Sequence, residues 1–348
     1  MKRIGLIYVA LCVAALVAYL PSFGGWIQYE NVHWIPEILT PVTLAPTWDL
    51  AHWSLSLNAW LGGTTPWGYH LVNVGIHCVN GWLVFVLAKR VFIRQWVQDQ
   101  KPTILGLGIV TPAVQQQFKA DMRTGIDTAK IMAVFAAAVF LLHPIQTEAV
   151  AYLTGRWELV STLLVLIALV APWPIAVVSA VLAMTTKTSA IVVIALFPLV
   201  RGIEDDGFLL ASIGAGLVIG SALWKDLTGR VPYLWMSPYG PIEYAARQAV
   251  ALWRMLALVV VPWGQTIDHD WAHVPVLVVA GAIPAVLGGI VGIVRARRTH
   301  PMLWLAACWI LICVAPRFVV RTPELISEHQ MYLPFVGVAL LVGSWGKP

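Results

Sequence analysis

An all-α polytopic membrane bundle of about ten transmembrane helices is the fold class this chain predicts, and three observations predict it. Of its 348 residues, 59% are hydrophobic and only 11% charged. Soluble domains carry about 25% charged residues, so most of this surface must face something other than water. Mean hydropathy is +0.79, and at roughly 20 apolar residues per crossing the length suffices for about ten spans with their loops. The 18 Trp residues suit the membrane–water interface, where the ring is buried and its N–H stays wet. A net charge of +5 is what cytoplasmic loops rich in Lys and Arg produce, so no nucleic-acid partner is expected. Cys12, Cys78, Cys308 and Cys313 all lie inside apolar runs without metal-ligand spacing, which argues against a disulfide framework and a zinc site.

Residues 1–348 read as a single membrane domain. The run 4–20 lacks a small-residue cleavage site and is followed by Pro21, so it is expected as an uncleaved first span with the N-terminus in the cytoplasm. A first outer loop covers 21–69. Within it, 48–61 places Leu50, Trp53, Leu57, Trp60 and Leu61 at helical spacing, as in a helix lying in the interface. A second span, 70–87, ends at Lys89-Arg90. The stretch 89–130 holds seven Lys and Arg and reads as a cytoplasmic loop.

Short apolar runs follow at 131–142, 159–171, 175–184, 190–200 and 208–224. They break at His143-Pro144, at Pro172-Trp173-Pro174, at Lys187 and at Arg201. Later runs are 249–261, 276–294, 302–314 and 333–342. If 249–261 is re-entrant or interfacial, Arg295, Arg297 and Arg298 stay inside and ten spans leave both ends cytoplasmic. If it crosses fully, those arginines fall outside. The first arrangement follows the distribution of positive charge better.

In that arrangement the polar chemistry gathers on the outer surface. The first loop brings Glu30 and Asp49, and the pivot HPIQTEAVAYLTGRWE brings His143, Gln146, Glu148, Arg156 and Glu158. Lys187, Asp268, Arg317, Arg321 and Glu328 follow. Ionisable groups at membrane depth are costly and point to function. Each also has a plainer reading. Glu30 and Asp268 read as solvated loop acids, and His143 as a helix terminator bonding a freed carbonyl. Arg156 with Glu158 reads as a structural ion pair, and Lys187 as a side chain snorkelling to the interface. Arg317 and Arg321 read as contacts to lipid headgroups.

Five blocks carry a family resemblance: GGTTPWGYHLVNVGIHCVNGWLVFVLAKRV, LLHPIQTEAVAYLTGRWELVSTL, LAMTTKTSAIV, RQAVALWRMLALVVVPWGQTIDHDW and ISEHQMYLPFVGVALL. In this order they resemble the membrane domain of the O-mannosyltransferases that carry tetratricopeptide repeats, and their bacterial relatives. The resemblance implies the C-type glycosyltransferase (GT-C) fold, with a polyprenyl-phosphate-linked sugar as donor and a protein or glycan as acceptor. It further implies inversion at the anomeric carbon, with mannose as the default sugar. Glu30 would act as base or hold a divalent cation, Mg or Mn, with His143 and Glu148 as further catalytic candidates. Arg156, Lys187 and Arg321 would bind the lipid phosphate. Asp49, Glu158, Gln248, Asp268, Glu328 and Tyr332 would complete the site. The expected location is a bacterial inner membrane, with the active site facing the periplasm.

The match is uneven at polar positions. Relatives read Tyr-Asp-Asp where this chain has Tyr29-Glu30-Asn31, and Arg-Pro-Leu where it has Trp48-Asp49-Leu50. The second His of the histidine motif is Gln146, and Ser-Lys-Glu is Thr186-Lys187-Thr188. Arg156, Glu158, Gln248, Asp268 and Tyr332 follow the pattern. Two other readings stay open: a transporter or flippase for an amphipathic solute, and an inactive transferase-like scaffold.

Overall fold

The computed structural model describes residues 2–24, 49–63, 65–105, 112–201, 216, 237, 239–266, 269, 274–321 and 325–346. Every regular element among them is a helix. In chain order these are α1 (Lys2–Tyr19), α2 (Leu50–Gly62), α3 (Pro66–Leu105), α4 (Pro112–Leu142), the single turn α5 (Thr147–Ala151) and α6 (Arg156–Val170). There follow α7 (Trp173–Thr186), α8 (Val193–Arg201), α9 (Pro241–Val260), α10 (Val276–Ala296), α11 (Pro301–Val319) and α12 (Phe335–Ser344). Short 3-10 turns precede α5, α6, α8 and α12.

The helix ends follow local chemistry. Asp49 caps α2 by accepting from the N–H groups of Ala51 (3.0 Å) and His52 (3.1 Å), and Gly63 at φ +60° closes it, a backbone region that glycine enters without penalty. The Pro172-Trp173-Pro174 pivot separates α6 from α7, because a proline ring blocks the preceding helical turn and has no N–H to donate. The expected breaks at 143, 172–174 and 187 coincide with helix ends at Leu142, Val170 and Thr186, and the break at 201 falls where the described residues stop.

One expected connection differs. The stretch 89–130 is largely helical, since α3 continues to Leu105 and α4 begins at Pro112. With 40 residues, α3 is about 60 Å long, roughly twice the hydrocarbon core. Its polar end must therefore project beyond the bilayer. Most of the run 249–261 lies in the 20-residue helix α9, which carries Glu243, Arg247 and Arg254 along its length and is not one of the stretches apolar enough to cross a bilayer.

Six helical stretches among the described residues are long and apolar enough to cross a bilayer, and α7, the 188–201 stretch and α12 are shorter apolar helices. The expected 208–224 crossing lies outside the described residues apart from residue 216. Burial ranks the six. The window in Leu153–Val170 is 72% buried within the protein, whereas that in Val276–Ala296 is 6% buried. So α6 is a central post, and α10 presents Val276 and Leu277 outward, as a lipid-facing helix should.

Around α6 pack α3 and α7, while α12 lies against α4 and α11, and α9 pairs with α10. The core is apolar, with Phe140, Leu159, Leu166, Trp309 and Phe335 fully enclosed. Gly155 shows how tightly α6 enters it. A Cβ there would overlap the Ala149 carbonyl oxygen, so only glycine lets the α5 turn sit on the start of α6.

Candidate functional site

The start of α6 brings together much of what the sequence singled out. Arg156 is fully buried. Its Nε donates to Asn73 Oδ1. One terminal nitrogen donates to Ser54 Oγ (3.0 Å) and Asn58 Oδ1 (3.2 Å), the other to Asn58 Oδ1 (3.2 Å) and the Tyr69 carbonyl (3.0 Å). All five N–H groups of a guanidinium are thereby used on α2 and α3. The side chain clamps three helices and leaves no donor for a phosphate. Next to it, Trp157 Nε1 donates to Asp49 Oδ2 at 2.7 Å, so Asp49 both caps α2 and ties it to α6.

Glu158 does not pair with Arg156. Its carboxylate meets Lys187 Nζ instead. Lys187 stands in extended backbone just after α7, which lets its side chain turn back towards α6. The pair lines a cavity of about 30 Å³ with Ser161, Ser189, Arg317 and Gln330. That is room for about two waters and not for a sugar ring. With its amide oriented to accept, Gln330 takes bonds from Arg317 at 2.9 and 3.3 Å and from Ser327 Oγ at 3.2 Å. Arg321, one turn on from Arg317, is outside this lining and approaches the Tyr239 carbonyl at 3.5 Å.

The segment 326–332 joins the surrounding elements. The Ile326 N–H donates to Gln248 Oε1 (3.1 Å), whose amide in turn donates to Tyr244 Oη (2.7 Å). Glu328, 2% exposed, accepts from Gln265 Nε2 (3.0 Å) and the Thr266 N–H (2.9 Å), and His269 Nε2 lies 3.3 Å away. His329 binds Glu148 through its main-chain N–H and its Nδ1, each at 2.7 Å. Tyr332 is buried and reaches His77 Nδ1 (2.7 Å), while Asn80 Nδ2 donates to it (3.1 Å). Since His77 Nε2 faces the Leu141 carbonyl (3.1 Å), that nitrogen carries the proton, and Tyr332 Oη donates to Nδ1. Burial pushes the Tyr332 phenol well above its ordinary pKa, so it stays protonated and available as that donor.

His143 takes the plainer of its two roles. Its Nε2 donates to the Val259 carbonyl at 2.9 Å, and its Nδ1 accepts from the Ile145 N–H at 3.1 Å, capping the turn after α4. Desolvation lowers its pKa, partly opposed by the Val259 bond, so the ring is neutral with both nitrogens engaged. Gln146, where the resemblance leads one to expect a second His, is fully buried, and neither amide atom has a hydrogen-bond partner among the described residues.

Glu30 and Asp268 lie outside the described residues. No three His, Cys, Asp or Glu side chains come together as a metal site among the described residues, so the expected Mg or Mn rests on Glu30 alone. The sequence reading missed Asn73, His77 and Asn80. Their i, i+4, i+7 spacing in VNVGIHCVN marks one polar stripe on an apolar helix, and that signal was available.

No family model matches the chain, and no solved structure matches it. Curated proteins do. Protein O-mannosyl-transferase Tmtc1 of Drosophila melanogaster is 36% identical over 115 residues, 33% of this chain and 9% of that protein. Protein O-mannosyl-transferase Tmtc2 of the same organism is 32% identical over 98 residues, 28% of this chain and 7% of that protein. Protein O-mannosyl-transferase TMTC1 of Mus musculus is 28% identical over 144 residues, 41% of this chain and 12% of that protein. The matches thus span about a tenth of the length of these relatives. An all-α membrane bundle with a buried polar layer at the start of its central helix is, over part of its sequence, similar to the protein O-mannosyl-transferases.

Proposed function

We propose that this protein is a membrane glycosyltransferase of the GT-C type. It moves a sugar, by default mannose, from a polyprenyl-phosphate donor to a hydroxyl of a protein or glycan acceptor on the non-cytoplasmic face. In a bacterium that face is the periplasmic side of the inner membrane. The observation that carries the proposal is the cavity holding Lys187, Glu158 and Arg317 together, in a chain partly similar to protein O-mannosyl-transferases.

The chemistry suits these groups. The acceptor oxygen bonds to the anomeric carbon as the bond from that carbon to the phosphate oxygen breaks, and the phosphate leaves with the electron pair. A phosphate is a good leaving group and needs no general acid, whereas the acceptor hydroxyl must lose its proton to a base. Glu30 takes that proton. Lys187 and Arg317 face the negative charge growing on the phosphate, where fixed cations lower the barrier. The ammonium of Lys187 has three donors, so it can keep Glu158 and still contact the phosphate. Because the cavity is too small for a sugar ring, the hexose lies outside it and the phosphate meets its cationic mouth. Arg156 acts as a positioning residue: by bonding to α2 and α3 it fixes the start of α6, which carries Glu158 into the cavity lining. A divalent cation at Glu30 would add a further positive charge beside the phosphate.

The test supplies purified protein in lipid nanodiscs with polyprenyl-phosphate mannose and a hydroxyl-bearing acceptor peptide, and reads products by mass spectrometry. A peptide gaining one hexose is expected, with Glu30→Gln and Lys187→Met each slowing transfer about 100-fold or more. No product from any polyprenyl-phosphate sugar, or a Glu30→Gln enzyme at the wild-type rate, sinks the proposal. Substrates moved across the bilayer but chemically unchanged indicate a transporter.

A further inference from the structure

We propose that His329 and Ser327 form the sugar subsite, accepting hydrogen bonds from two neighbouring hydroxyls of the hexose. The inference rests on the transferase reading above. It assigns the part of the donor for which the cavity beside Lys187 has no room.

The 325–330 segment sorts its side chains. Leu325, Ile326 and Glu328 are buried, whereas Ser327, His329 and Gln330 are half-buried and reach the surface. Gln330 lines the cavity with Arg317 and Lys187, and Ser327 and His329 stand outside that lining. Three successive contacts connect them. His329 Nε2 lies 3.4 Å from Ser327 Oγ. Ser327 Oγ donates to Gln330 Oε1 at 3.2 Å, and that oxygen also accepts from Arg317 at 2.9 Å. The imidazole is therefore no more than three hydrogen-bond lengths from the guanidinium that faces the phosphate. A sugar phosphate spans that distance, so a donor whose phosphate meets Arg317 has its ring within reach of His329.

The partners of His329 settle what it offers. Glu148 accepts from its main-chain N–H and from Nδ1, each at 2.7 Å. A carboxylate fixes the proton of a neutral imidazole on the nitrogen that faces it, which makes Nε2 a lone-pair acceptor. Ser327 Oγ is also 3.1 Å from Nδ1, whose proton is drawn to the shorter Glu148 contact. The 3.4 Å contact to Nε2 is longer than an ordinary hydrogen bond. With its proton turned to Gln330, Ser327 Oγ keeps lone pairs for a ligand. The His329 side chain is 25% exposed, enough for a ligand to reach the ring edge. Two acceptors side by side match the O–H donors on adjacent carbons of a sugar ring. A structural tie between the α5 turn and this segment accounts for Nδ1 and the main-chain N–H. It does not call for Ser327 beside the ring with its proton turned to the cavity wall.

An imidazole oriented by a carboxylate is also a good base, so the readout is donor binding, which the loss of a base leaves intact. Native mass spectrometry of the purified full chain measures affinity for polyprenyl-phosphate mannose and for analogues each lacking one sugar hydroxyl. Two analogues, lacking adjacent hydroxyls, are expected to bind wild type about tenfold more weakly. One of these penalties disappears in Ser327→Ala and the other in His329→Leu, while Lys187→Met weakens parent and analogues by the same factor. The series on wild type needs no variant, so misfolding cannot imitate it. Equal affinity of wild type for the parent and every analogue, or either penalty persisting in both variants, overturns the subsite. The expected binding pattern without any transfer product would instead count against the transferase and leave the sugar subsite standing.

Discussion

His329 and Glu148, 181 positions apart, form a two-point contact in which a main-chain N–H and an imidazole nitrogen each lie 2.7 Å from one carboxylate. This contact ties the α5 turn to the 326–332 segment. Bonds to a charged acceptor contribute about 1.5–3 kcal/mol each. Glu148→Ala is therefore expected to destabilise the protein by about 2–3 kcal/mol, and Glu148→Gln, which keeps an acceptor, by about half as much. Thermal unfolding in detergent checks the order. Equal melting temperatures for wild type and Glu148→Ala would show the contact to be idle.

The Lys187–Glu158 pair predicts a different pattern. Removing the lysine leaves a carboxylate that is only 9% exposed without its counter-charge, and breaking such a pair from one side costs about 3–5 kcal/mol. Lys187→Met should destabilise more than Lys187→Met/Glu158→Leu, because the double variant leaves no buried charge. If the double variant is the less stable of the two, the pair is not the reason Lys187 matters to the fold.

Arg156→Lys tests the clamp on α2 and α3. A lysine keeps the charge but offers three donors on one atom, so it cannot span Asn73, Ser54, Asn58 and the Tyr69 carbonyl at once. A loss of about 2–4 kcal/mol is expected. Proteolysis between α2 and α3 should speed up in parallel. Unchanged protection there would contradict the clamp.

The pH dependence follows from His143. Its folded pKa lies below the ordinary histidine value because burial disfavours the cation. The unfolded chain therefore takes up the proton first, at about pH 6.5, and stability falls as pH drops from there towards the lower folded value. Above about pH 7 this residue adds no slope. His143→Gln should flatten the melting-temperature profile below pH 6.5, and identical slopes in both proteins would refute the assignment.

Gln146 is a local cost. An amide enclosed without partners among the described residues forfeits its bonds to water, at about 1–3 kcal/mol. Gln146→Leu should leave stability unchanged or raise it by about 1 kcal/mol, read from thermal melts. A clear loss would mean that the amide has a partner, such as an ordered water.

Much of the architecture was legible in the chain because its causes are local. Apolar runs of membrane length, the proline pivot at 172–174 and the cap at Asp49 each act within a few residues, and the helices end where those signals fall. The extent of α3 was misread for the same kind of reason. A polar stretch rich in Lys and Arg looks like a loop, yet nothing between Lys89 and Leu105 stops a helix except Pro102, which α3 passes through. The sequence offered candidate site residues but not their partners. The histidine motif drew attention to His143 as a catalyst, and the structure gives both its nitrogens to backbone groups. Arg317, rather than Arg321, lines the cavity with Lys187 and Glu158.

The sequence alone determined the membrane class, the order of helices and breaks, and the pool of polar residues set against an apolar background. Hydropathy, periodicity and turn chemistry are read over one or two helical turns. Only the tertiary structure decided which of those residues meet. Glu158 turns to Lys187, 29 positions on, rather than to its neighbour Arg156, and Tyr332 closes on His77 across 255 positions. Such choices depend on how α3, α6, α7 and the 326–332 segment pack around one another. In a low-dielectric interior, each buried donor or charge must settle on whichever partner that packing brings within reach.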